Sequence, residues 1–223
     1  LVEWPQALWG DFDPHFLTLP AEALQAVMHH HQRCFLVRHQ DNIAPHFVTV
    51  SNIESQRPEQ VVQGNRKVMR ARLSDAMFFF AQDQRQTLAE HAQALSTMVY
   101  QQQLGTLADK CQRLQTLAET LAPALDLDVT ALQTASRWCK ADLATALVYE
   151  FPELHGAVGA HLAGLEGLDA DIATAIQSHL QPSGGSDAVP TQPLAQALAL
   201  MDRLDHLVGF FSVGMAPTGD KDP

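Results

Sequence analysis

Cysteine and positive charge are both scarce in this 223-residue sequence. Its three cysteines, Cys34, Cys111 and Cys139, lie far apart in apolar patterns. They fit neither a CxxC pair nor zinc-ligand spacing, so a disulfide scaffold is excluded and reduced core thiols in a cytoplasmic protein are expected. Lys and Arg total 14 against 25 Asp and Glu, a formal net charge of −11. The field of the whole molecule therefore repels phosphate and anionic lipid, and any nucleic-acid contact has to be local. No apolar run approaches the roughly 18 residues that would span a bilayer. No signal peptide is visible, so no membrane partner is expected. The chain opens at Leu1 without a methionine and stops at "PTGDKDP", which reads as a piece of something longer.

Apolar residues make up 46% and charged residues 17%, a globular composition with enough apolar material for one large domain or two small ones. Residues 1–57 are mixed. "HFLTLP" reads as a short strand, Pro20 as the opening of a helix over "AEALQAVMHHH", and "RCFLVRH" with "HFVTVSN" as a hairpin turning near Asp41-Asn42. From about Pro58 the pattern becomes helical and strand signals stop. Helices are expected at about 58–93, 105–122, 128–150, 152–165, 169–180 and 193–212, with a Gly/Ser/Pro loop over 181–193. The expected fold is mainly α, a multi-helix bundle preceded by a small α/β element of hairpin plus helix. The divisions fall at 1–57, a long connecting helix region over 58–100, and a helical domain over 101–223.

Three constellations could carry chemistry. The run His29-His30-His31 invites a metal, but consecutive helical residues point about 100° apart, and a His-rich helix end is the plainer reading. The other eight histidines show no HExxH or HxH spacing. Between Arg57 and Arg72 stand five basic residues and one acid: Arg57, Arg66, Lys67, Arg70 and Arg72 against Glu59. This is the densest cationic stretch. It reads either as a solvated helix face or as a phosphate-binding patch with Arg66, Lys67, Arg70 and Arg72 as candidates, the first three foremost because Arg72 lies closer to the core stripe of Met69 and Leu73. The third is a set of charges in or beside apolar stripes: Asp142 and Asp205 interrupt such stripes, Lys110 and Arg113 border one, and Lys140 and Asp202 stand with them. A buried carboxylate is costly unless paired or metal-bound. These groups therefore read either as a divalent-metal hydrolase site or as an ion-paired cluster in which lysine takes the metal's position.

Six stretches carry a family resemblance: "HHHQRCF", "FVTVSN", "GNRKVMRARLSDAMFFFAQD", "LGTLADKCQRL", "KADLATALVYEFPELHGAVG" and "MDRLDHLVGFFSVGMAPTGDKDP". Together they cover most of the chain, in order. The sequence resembles the β subunit of bacterial tetrameric glycyl-tRNA synthetase. Cys34 stands where that resemblance implies an aromatic, and His155 where it implies a glutamine.

The resemblance implies an α subunit partner that holds a class II catalytic core and makes glycyl-adenylate from glycine and ATP with Mg. It implies a β subunit that binds tRNA(Gly) and is needed for charging, in a cytoplasmic α2β2 heterotetramer. No P-loop and no class II motif is found here, so this piece is expected to hold no cofactor and to be non-catalytic alone. The resemblance also implies an HD-type helical domain over 101–223. Active HD enzymes hold metal with a His-Asp pair, and this sequence has no such dipeptide. Asp142 would take an HD-type aspartate position, Lys110 falls near the first ligand position, and Asp202 or Asp205 would be the late aspartate. Protonated lysine is a poor metal ligand. The expectation is an ion-pair cluster of Lys110, Arg113, Lys140, Asp142, Asp202 and Asp205, with no metal. The alternatives are an HD-type metal-dependent phosphohydrolase and a protein-interaction helical scaffold.

Overall fold

A computed structural model describes residues 3–40, 42–185, 187–216 and 219, without the side chains of His30 and His31. The chain divides into two compact units, Leu1–Asp83 and Gln84–Pro223.

The first unit is the small α/β element. Strands β1 (Gln6–Asp11), β2 (Phe35–His39) and β3 (Asn42–Ser51) form an antiparallel sheet in the order β1-β3-β2. β2 and β3 are the expected hairpin; Asp41 of its turn lies outside the described residues. "HFLTLP" is not a strand. Asp13 caps a 3-10 turn over Pro14–Thr18, because Pro14 presets the first turn and the Asp13 carboxylate accepts the His15 N–H. Helix α1 (Ala21–Gln25) widens into a π turn over Ala26–His31. Helix α2 (Pro58–Asp83) completes the unit and buries Met69, Leu73, Ala76 and Phe80, the stripe read from the sequence. The core of the unit also takes in Leu24, Met28 and Phe47, all fully buried.

The expected helix over 58–93 ends early, at Asp83. Thr87 and Glu90 form a reciprocal capping box that starts α3 (Leu88–Ala94) afresh. Strands do not stop at Pro58 either. A two-stranded ribbon, β4 (Val99–Gln101) with β5 (Gly105–Thr106), precedes α4 (Leu107–Ala124), which Thr106 and Asp109 cap in the same reciprocal way. The remaining helices are α5 (Val129–Trp138), α6 (Ala146–Glu150), α7 (Ala157–Leu165), α8 (Ala170–Ser178) and α9 (Pro193–Ser212). Asp128, Thr145, Asp169 and Gln192 cap α5, α6, α8 and α9 through their side chains.

The expected helix over 128–150 is broken. α5 ends at Trp138, residues Ala141–Ala144 form a 3-10 turn, and the Thr145 cap starts α6. Thr and Asp favour such breaks because their side chains satisfy backbone groups locally. In the second unit α4 packs on α5 and α9, and α8 on α7, α9 and α5. Leu114, Leu132, Leu147, Phe151, Ile176, Leu198 and Met201 are the buried centre. Among the described residues no helix is long and apolar enough to cross a membrane.

Gly10 of β1 lies directly over the fully buried Phe47 ring, and any Cβ added there would overlap that ring. The ring has no room to retreat in a close-packed core. Gly10→Ala should therefore destabilise the first unit by about 1–3 kcal/mol. A urea titration followed by tryptophan emission reads this; an unmoved midpoint would show that the sheet shifts freely over Phe47.

Candidate functional site

Five of the charged residues expected in the helical unit meet at its centre. Lys110 comes from the buried face of α4, Lys140 from the turn that ends α5, and Asp202 and Asp205 from α9. Lys110 Nζ lies 3.0 Å from Asp205 Oδ2 and 3.0 Å from Asp202 Oδ1. The second contact is held by charge rather than by an aligned hydrogen bond, since Asp202 Oδ1 has no hydrogen-bond donor aimed at it. Lys140 Nζ donates to Asp202 Oδ2 at 3.0 Å. Arg113, at the rim, grips Asp205 in a two-pronged contact, Nε to Oδ1 at 2.5 Å and Nη2 to Oδ2 at 3.1 Å. The Tyr100 ring of β4 stands 4.8 Å from the Lys110 ammonium and adds a cation–π contact.

The seam continues through two histidines. Lys140 Nζ lies 2.9 Å from His179 Nε2, and His179 Nδ1 lies 2.6 Å from the Ile176 carbonyl. An ammonium can only donate, so Nε2 is the acceptor and the ring proton sits on Nδ1, pointing at that carbonyl. The His155 ring stands 5.2 Å from the His179 ring. His179 could have been found from sequence, since Ile172, Ala175, Ile176 and His179 follow one helical stripe.

Asp142 is placed differently from the expectation. It is fully buried, in the 3-10 turn, and among the described residues its carboxylate pairs with no lysine. Its carboxylate accepts from His155 Nδ1 at 2.8 Å, from the Gly156 N–H at 2.7 Å and from the Gly159 N–H at 2.9 Å. The two bare glycines are what allow this approach. Gly156 has φ +89°, and a Cβ on Gly159 would stand 3.1 Å from the carboxylate itself. Asp142 is thus compensated by backbone donors at the start of α7 and by His155, not by a cation replacing a metal. Among the described residues no three His, Cys, Asp or Glu side chains converge in a way that could hold a metal ion.

Burial alone would raise the Asp202 carboxyl, but Lys140 and Lys110 outweigh it and hold it well below the usual carboxylate range. Burial likewise opposes the charge on Asp205, and Arg113 and Lys110 override it. Burial would lower Lys110, and Asp202 with Asp205 leave it raised instead. Burial, then Lys140 and His155, push His179 well below the ordinary imidazole value, so it stays neutral.

In the first unit Arg66, Lys67, Arg70 and Arg72 stand along α2, while Arg57 lies just before it. Lys67 and Arg70 are exposed, and neither side chain has an ion-pair partner among the described residues. Arg66 is half-buried and committed. It forms an ion pair with the Asp11 carboxylate and donates from Nε to the Asp11 carbonyl at 3.2 Å. A cavity of about 300 Å³ beside it is lined by Asp11, Asp13, Arg66 and Arg70, so acids share the space with the arginines. Arg72 is half-buried and has interaction partners of its own. On α2 the expected cationic run therefore reduces to Lys67 and Arg70 as the outward charges, and Arg57 is exposed ahead of the helix. His29 is exposed at the π turn; the side chains of His30 and His31 lie outside the described residues. All three cysteines are buried and unpaired.

A family model described as glycyl-tRNA synthetase beta subunit matches residues 1–223. The chain is 46% identical over 224 residues to a glycine–tRNA ligase beta subunit of Chromohalobacter salexigens, covering 100% of this chain and 33% of that protein. It is 46% identical to the corresponding subunit of Acinetobacter baylyi, covering 32% of it, and 43% identical to that of Neisseria meningitidis serogroup C, covering 33%. The chain spans about a third of the length of the curated relatives it matches.

Two outcomes test the seam. Asp202→Ala leaves the buried Lys140 ammonium without its carboxylate and Lys110 with Asp205 alone, and should cost about 3–5 kcal/mol, much of it regained in Asp202→Ala/Lys140→Met. Calorimetry reads both; a loss under 1 kcal/mol would mean that water already screens the lysines. The pH dependence has a definite sign. As pH falls below about 6.5 the unfolded chain protonates its His179 equivalent before the native state does, so stability drops. Below about 4 the same holds for Asp202 and Asp205, whose share is complete above that pH. His179→Gln keeps an acceptor for Lys140 and should flatten the loss between pH 7 and 5. An unchanged pH profile would place the sensitivity elsewhere.

Proposed function

The chain belongs to the glycyl-tRNA synthetase beta subunit family, and from that membership we propose that it is a non-catalytic part of a β subunit that helps hold tRNA(Gly) while a partner α subunit charges it with glycine. The observation that carries the reading is the full-length family match. ATP, Mg and adenylate formation belong in this reading to the α subunit of a cytoplasmic α2β2 enzyme. The contact with tRNA runs through the exposed cations of α2. Lys67 and Arg70 lie three residues apart, on one helix face, and have no ion-pair partner among the described residues. With a net charge of −11, RNA affinity here depends on such local cations rather than on the whole-molecule field.

As part of the same proposal, the helical unit is an HD-type scaffold put to structural use. Its residues do not fit the metal that active HD enzymes carry. The Lys140 ammonium occupies the space between His179 and Asp202, and the Lys110 ammonium the space between Asp202 and Asp205. Asp142 has its lone pairs engaged by His155, Gly156 and Gly159. A phosphohydrolase reading would need those groups free.

Lys67→Ala/Arg70→Ala in the complete α/β enzyme should weaken tRNA binding and reduce the slope of log affinity against log salt by about one to two. Glycyl-adenylate formation should be unchanged. Wild-type affinity and slope in the double variant would remove the phosphate contact from this helix. Arg66→Ala, by contrast, mainly deletes an ion pair with Asp11 and should act on stability more than on the slope.

A further inference from the structure

The three-stranded sheet of the first unit has one face covered and one open. Gly10, Phe47 and Thr49 are buried on the covered face. On the other face the register aligns Trp9 of β1, Val48 of β3 and Phe35 of β2 in a single row across all three strands. Ala7 and Val50 form the next row. Trp9 is 58% exposed, Phe35 52% and Val50 37%, and the Trp9 ring leans on His46 at 5.1 Å. The outward face of a solvated antiparallel sheet ordinarily alternates to polar residues. Here it carries Trp, Val and Phe in register. β1 and β2 are also its edges, and no further strand pairs with either among the described residues. A contiguous apolar face on such a sheet is a template for association unless something covers it.

We propose that this face is an internal docking surface, covered in the intact β subunit by an apolar segment of that same subunit lying outside this chain. The inference rests on the β-subunit reading: the relatives are about three times as long as this chain, so the same polypeptide supplies two further thirds of sequence. The face suits polypeptide better than RNA. Its rows hold no lysine or arginine, aliphatic residues separate the two aromatics, and the neighbouring carboxylate of Asp11 is engaged with Arg66. Base-stacking platforms pair their aromatics with a cationic groove. A sheet with two apolar faces instead requires a layer on each side.

The test is hydroxyl-radical footprinting of the full-length β subunit in complex with its α partner, with and without tRNA(Gly). Core residues are more than about 95% buried, so Trp9 and Phe35 should label roughly tenfold more slowly than exposures of 58% and 52% imply, with or without tRNA. In Trp9→Glu, labelling of Phe35 should rise as the layer lifts; if that variant does not fold, the wild-type footprint decides alone. Fast labelling of both residues in both states would overturn the proposal. Fast labelling that slows only when tRNA is added would also overturn it, and would make the face an RNA platform. The footprint reads this surface directly, so its outcome is independent of whether Lys67 and Arg70 hold phosphate.

Discussion

Asp202, held between two lysines, is the constraint on which the helical unit depends. Its two oxygens face Lys110 from α4 and Lys140 from the turn after α5, while its own backbone belongs to α9. Three segments distant in sequence are thereby tied to one carboxylate. Buried ion pairs of this kind add little net stability over a hydrophobic replacement, because desolvating the charges offsets their attraction. What they do is penalise every arrangement that separates them. If α9 slid or rotated along α4 by one residue, two ammonium groups would be left buried without a counter-charge. Arg113 and Tyr100 then close the rim of the seam, and His179 closes its inner end by accepting from Lys140.

Much of this was legible in the sequence. The buried stripe of α2 and the span of α9 follow from 3.6-residue periodicity and from Pro at the first helical position. Asp142 and Asp205, interrupting apolar stripes, were marked as residues that had to meet partners, and Lys110, Arg113, Lys140 and Asp202 beside such stripes as the groups to meet them. The misread helix boundaries share one cause, namely local hydrogen bonding by short polar side chains. Periodicity ran straight through Gln84–Gln86 and Lys140–Thr145, where the caps of Thr87 and Thr145 end one helix and start another. The signal "TLAE" at Thr87–Glu90 was present and is specific. The 3-10 turn holding Asp142 leaves no comparable trace, because its defining partners are backbone N–H groups fourteen and seventeen residues away.

That difference explains why Asp142 and Asp202, both acids in apolar surroundings, behave unlike each other. Asp202 is balanced by side-chain cations from two other segments, so its position specifies which helices meet. Asp142 is balanced by fixed backbone dipoles at the start of α7 and by His155, so its position specifies how the chain turns from α6 into α7. The glycines at 156 and 159 belong to this arrangement as much as the carboxylate does, since side chains there would meet Gln177 and Ile176 of the neighbouring α8 segment.

The same accounting separates the charges that are spent from those that are available. In the helical unit Lys110, Arg113 and Lys140 each have a carboxylate partner, and their fields are cancelled within a few ångströms. A cation neutralised in this way contributes almost nothing beyond a Debye length of about 10 Å. In the first unit Arg66 is spent on Asp11, while Lys67 and Arg70 are not paired among the described residues. A count of basic residues along the sequence treats all of these alike. What remains after pairing is what a phosphate could meet, and on α2 that remainder is Lys67 and Arg70.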